Sequence, residues 1–189
     1  MRVPRGFRAA SNRIAVGLRH QLGLSCHAPL SMKMLCKRLG LPLVPLSHFS
    51  ATHDKQVMEL KKRGDFSAML LPIDDTTKII LFNDQSSPGR FNSDIAHEAA
   101  HEILLHPPQA TFNEDGERNY DQGMEDEANC LAQRLLITDE AAYHVVSSMM
   151  LPREACEIYG VSMAMLKFRL GASGARKRYD RRVAAVAAE

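Results

Sequence analysis

His97-Glu98-Ala99-Ala100-His101 carries the most specific chemical signal in the chain. Two histidines four residues apart sit about one turn apart on a 3.6-residue helix, so both imidazoles can reach one ion. Glu98 projects about 100° round from His97, which sets its carboxylate beside that ion as a general base rather than as a ligand. This chemistry requires a helix, and the flanking residues predict one. Ser93 can cap it, Asp94 suits the positive end of its dipole, and Ile95, Ala99, Ile103, Leu104 and Leu105 give it an apolar side. Pro107 and Pro108 stop it just past His106.

A catalytic zinc ion takes three protein ligands and a water, so two histidines leave the set one short. His106 follows His101 with no glycine turn before it and lies about 140° off the ligand face, which assigns it to the helix end or to the support of a ligand. A better source is a helix predicted over 124–137, with Ala128, Leu131, Ala132, Leu135 and Leu136 as its buried stripe. It begins Glu125-Asp126-Glu127-Ala128-Asn129. Glu125 and Asn129 share a face, so Asn129 could hydrogen-bond a ligand histidine while Glu125 meets the ion. Glu127 lies about 200° from Glu125, so the two cannot serve the same ion. Glu125 is the first choice and Glu127 the alternative. Tyr120, Tyr143 and His144 could stabilise an oxyanion, but as lone residues none is assigned.

Several elements must position these groups. Ile14, Leu18 and Leu22 predict an amphipathic helix ending near Gly23, and Ser31 caps a second one running to Gly40. Residues 41–46 read as extended, confined by Pro42 and Pro45 to a sheet edge or to no strand at all. A short helix is expected over 53–63. Residues 66–71 and 78–82 read as strands around a turn at 74–77, and 83–89 as the loop leading to the His-bearing helix. The sequence places the strand at 78–82 just before that helix; by analogy with zinc peptidases, it could pair with an extended substrate. An acidic loop over 107–123 could be a lid or a substrate-lining segment.

At 45% hydrophobic, the 189 residues form one domain with at most a small appendage, and no apolar run is long enough to span a membrane. Cys26, Cys36, Cys130 and Cys156 are scattered, as expected for reduced thiols in a cytosolic protein. The Arg-rich start faintly suggests a transit peptide but lacks an apolar core. The net charge of +2 conceals polarisation: residues 1–53 hold eight basic side chains and no acid, while 54–166 are strongly acidic and 167–189 basic again. Basic ends can face nucleic acid or an acidic protein, or simply be solvated. Residues 153–159, Gly160-Val161-Ser162 and 163–170 follow the layout of a helix-turn-helix, with Lys167 and Arg169 on its second helix and Arg176, Lys177, Arg178, Arg181 and Arg182 behind. The alternative is a helical hairpin packed on the rest of the domain, with a solvated basic tail behind it.

HEAAHEILLH followed by EDEANCLAQRLLI resembles the ImmA/IrrE metallo-endopeptidase family, over roughly residues 10–140. Leu131 stands where that family usually has Phe, and Ile137-Thr138 replaces Met-Pro. The resemblance implies one Zn²⁺ on His97, His101 and Glu125, with Glu98 as catalytic base. It also implies an α+β, zincin-like domain with a small, mainly antiparallel sheet over 10–150, followed by a helical hairpin at 151–175 and a basic, alanine-rich tail at 176–189. The expected activity is cleavage of a protein, a transcriptional repressor of a mobile element or stress response. A DNA-binding or partner-sequestering regulator with a non-catalytic metal site is the alternative.

Overall fold

The computed structural model describes residues 2–49, 66–74, 76–107 and 121–186. The helix expected over 53–63 and most of the acidic loop, Tyr120 included, lie outside them. The fold is α+β, with eight α-helices and one three-stranded sheet among the described residues.

Helix α1 (Phe7–Gln21) gives way at Leu22 and Gly23. Helix α2 (Met32–Leu39) has the ends its sequence predicts: Ser31 accepts the Met34 N–H, and Gly40 closes it at φ 70°. Strand β1 (Leu43–Pro45) runs at one edge of the sheet, where its proline costs no ladder bond, and a 3₁₀ turn follows over Leu46–Phe49. β2 (Ala68–Pro72) and β3 (Lys78–Phe82) form an antiparallel hairpin, with Leu70 opposite Ile80. Asp74 shapes the turn between them by accepting from the Thr76 and Thr77 N–H groups. β1 pairs with β3 in parallel, so the sheet is mixed and its antiparallel character is confined to the hairpin.

β3 is the central strand. It is already paired on both sides and cannot receive a substrate, contrary to the expectation from sequence. β2 is the other edge strand, and it packs against the His-bearing helix α3.

Helix α3 (Pro88–Ile103) begins earlier than Ser93 suggested, with Ser87 at the cap and Pro88 in the first turn. Proline is preorganised for that position and has no N–H to leave unpaired. Ser93 therefore lies inside the helix. Helix α4 (Gln122–Leu136) starts at Asp121, whose side chain accepts from the Gly123 and Met124 N–H groups. α3 and α4 are the most extensively packed pair of elements. Buried Ile95, Ala96, Ala99 and Ala100 belong to one, and buried Ala128, Leu131, Ala132 and Leu135 to the other. Alanine side chains keep this interface thin, so groups on the two helices can meet.

The far end of α4 is held by two buried guanidinium groups. Arg19 donates to the carbonyls of Leu135 (2.8 Å), Ala28 (2.8 Å) and Ala15 (3.1 Å), and burial lowers its pKa to about 10, which leaves it charged at neutral pH. Arg169 donates to Ile137 O (2.9 Å) and to Asp139 (2.6 Å). Both place positive charge where the α4 dipole is negative and its carbonyls lack partners.

The C-terminal helices are α5 (Asp139–Ser147), α6 (Pro152–Tyr159), α7 (Met163–Ala172) and α8 (Ala175–Val186). α5 was not anticipated, and residues expected as a tail are helical. The α6–α7 turn docks on α3. Gly160 has φ 60°, its carbonyl accepts from Asn92 Nδ2 at 2.9 Å, and a Cβ there would lie 2.4 Å from that nitrogen. Arg169, offered as a DNA contact, is fully buried and occupied by the end of α4. Lys167, Arg176, Lys177 and Arg181 are exposed.

Replacing Arg19 by Met removes the donors from buried carbonyls while keeping most of the side-chain volume. Each unsatisfied group costs about 1–3 kcal/mol. Urea denaturation should therefore show a loss of at least that size; an unchanged midpoint would remove Arg19 from its capping role.

Candidate metal centre

α3 presents His97 and His101 one turn apart, and α4 brings Glu125 across to them. His97 Nε2 lies 3.1 Å from His101 Nε2, 3.2 Å from Glu125 Oε2, and His101 Nε2 lies 3.4 Å from Glu125 Oε1. One donor atom from each residue falls within 4.8 Å of the others, and no second such group occurs among the described residues. The three side chains are 16–23% exposed, sheltered but reachable from solvent.

These separations suit a small divalent cation. Ligand atoms about 2.0–2.1 Å from a tetrahedral ion stand roughly 3.3 Å from one another. The hydrogen bond expected of Asn129 is made: His97 Nδ1 donates to Asn129 Oδ1 at 3.2 Å. With that proton on Nδ1, Nε2 of His97 keeps its lone pair and points it at two other electron-rich atoms. Such a cluster is stable only with positive charge inside it. When His101 and His97 are protonated on Nε2, their hydrogen bonds hold the Glu125 carboxyl far below the usual range. Burial alone would lower the His97 pKa, but the hydrogen bond to Glu125 and the charges of Glu98 and Glu125 outweigh it and leave it raised. A proton thus does part of what a cation would do.

Glu98 does not join the cluster. Its Oε2 accepts from the backbone N–H of Leu70 at 2.8 Å, so edge strand β2 holds the carboxylate beside the donors. Burial raises its pKa, against the lowering effect of His97 and of the Leu70 N–H. A raised pKa favours a carboxylate able to take up a proton. Leu70 has no counterpart in the sequence reading, because a main-chain N–H leaves no residue signature and only the β2 register aims it here.

Glu127, the alternative donor, is not part of the cluster. It lies 3.3 Å from His106 Nε2, and His106 Nδ1 lies 3.0 Å from His101 Nδ1. Tyr143 lies under the Arg178 guanidinium at 4.5 Å, and His144 stacks on His27 at 4.3 Å, so both are engaged elsewhere.

The family model for the IrrE N-terminal-like domain of peptidase M78 matches residues 47–171. The chain belongs to this peptidase family. None of the curated proteins matches it. The M78 match extends from within the 3₁₀ turn after β1 into α7, and so takes in β2, β3, α3, α4 and nearly all of the C-terminal hairpin, while β1 lies before it. Membership in a peptidase family suggests a protease-type function for a site in which two histidines and a carboxylate could hold a metal. No helix among the described residues is long and apolar enough to cross a membrane.

The raised pKa of Glu98 has a consequence for stability. Its folded-state pKa lies above the unfolded one, so the ionised form disfavours the fold. That penalty is absent below the ordinary carboxylate range and complete once pH exceeds the folded pKa. Metal-free Glu98→Gln, which keeps an acceptor for the Leu70 N–H, should therefore melt above metal-free wild type at pH 7, with the gap closing at pH 4. A lower melting temperature at pH 7 would contradict the assignment.

Proposed function

We propose that this M78 protein is a zinc-dependent endopeptidase that hydrolyses a protein substrate. The observation that carries the proposal is the convergence of His97, His101 and Glu125 beside a Glu98 carboxylate tied to an edge strand. His97, His101 and Glu125 would hold one Zn²⁺, which when bound supplies a Lewis acid and brings the pKa of water towards about 7.

The chain's own groups account for the remaining requirements. Glu98 accepts the proton of the attacking water as its oxygen bonds to the scissile carbonyl carbon. Glu98 then delivers that proton to the leaving nitrogen as the C–N bond breaks, so it is regenerated as a carboxylate. The Leu70 N–H keeps the carboxylate aimed throughout. β2 is the strand along which an extended peptide can lie, because its outer edge faces the catalytic helix and pairs with no strand among the described residues. The substrate we infer is a DNA-binding repressor of a mobile element or a stress response, cut in the cytoplasm. Neither a DNA-binding nor a partner-sequestering role would need a base at position 98.

Glu98→Gln should bind zinc like wild type and lose cleavage by at least about 10²–10⁴-fold. The assay is mass spectrometry of fragments from a co-expressed partner, alongside elemental analysis of the purified protein. Cleavage retained by this variant would remove Glu98 from the base role. In the same measurements, Glu125→Ala should lose more zinc than Glu127→Ala, and the reverse order would move the third ligand.

A further inference from the structure

The catalytic helix ends in a conformation that leucine rarely adopts. Leu105 has φ 55° and is 81% exposed, so this turn gains nothing by burying the side chain it strains. The turn instead folds the chain back on itself. The His106 N–H donates to His101 O at 3.0 Å, and the His106 side chain is 9% exposed. Its ring packs edge-on against that of His101, with centroids 5.0 Å apart.

The contacts of that ring have a direction. Glu127 can only accept a hydrogen bond, so it selects the His106 tautomer with its proton on Nε2, 3.3 Å away. Nδ1 of His106 is then an acceptor. Lying 3.0 Å from His101 Nδ1, it selects the His101 tautomer protonated there. In that tautomer the lone pair of His101 is on Nε2, the atom that faces His97 and Glu125, so the His106 contact opposes the pull of Glu125, 3.4 Å from Nε2, for a proton on that atom.

We propose that His106 and Glu127 are positioning residues that orient the His101 ring and set its tautomer for metal binding. This rests on the reading of His97, His101 and Glu125 as a metal site. Helix α4 then serves the centre three times. Glu125 supplies a donor, Asn129 fixes His97 directly, and Glu127, turned away from Glu125, fixes His101 through the ring of His106.

Two measurements on the full-length chain test the relay. One is zinc affinity by competition with a chromophoric chelator. His106→Phe keeps a ring but no acceptor, and Glu127→Ala changes a side chain that is 28% exposed. Each should weaken zinc binding by about 10–100-fold, the usual cost of losing a group that orients a metal ligand. His106→Asn, whose Oδ1 can stand in for Nδ1, should recover most of the loss, which a merely space-filling role would not predict. The second measurement is long-range ¹H–¹⁵N NMR of metal-free wild type above the imidazole titration range. His101 should carry its proton on Nδ1 and His106 on Nε2. A smaller affinity loss in either variant, or His101 protonated on Nε2, overturns the relay. If wild type takes up no zinc, the metal reading fails and the NMR result alone decides the relay.

Discussion

Three electron-rich atoms held this close together repel one another unless positive charge lies among them, and the domain is built to hold them there. His97 and His101 are set by one helix, but Glu125 reaches them only because α4 packs closely on α3. Buried alanines on both helices keep that interface thin, and branched side chains in their place would widen it. The position of α4 is secured at its other end by Arg19 and Arg169, whose charges face carbonyls that the helix itself cannot satisfy.

The sheet serves the same centre. Its contribution is one backbone N–H, that of Leu70, aimed at Glu98. This depends on β2 being an edge strand, since the N–H groups of a central strand are taken by neighbours on both sides. The strand that holds Glu98 is therefore also a strand with an edge. In the proposed function, that one element would serve both peptide binding and proton transfer.

Features that cost stability gather here. Glu98 is partly withdrawn from water with a raised pKa, Leu105 is strained and exposed, and three donors are pressed together. In the proposed function each cost falls on a group with a chemical or positioning task, as expected where structure is shaped by function rather than by stability alone. The C-terminal hairpin, by contrast, is well integrated. Gly160 abuts Asn92 of α3, and Arg169 donates to Ile137 and Asp139 inside the protein.

Local rules explain what could be read from the sequence alone. The spacing of His97, Glu98 and His101 places them on a helix because the 3.6-residue repeat holds regardless of context. Ser31 and Gly40 mark the ends of α2 because capping involves only near neighbours. The Glu125–Asn129 face was legible for the same reason. What the tertiary structure decided involves partners distant in the chain. The order of the strands made β2 rather than β3 the edge, which no strand's own residues encode. The Leu70 N–H, the burial of Arg169 and the contact of Glu127 with His106 all depend on how separate elements meet. Serine is compatible with both a cap and a helix interior, so Ser93 alone does not mark the start, and Ser87-Pro88 upstream is the stronger signal. Periodicity can determine which face a residue occupies, but only packing determines what that face meets.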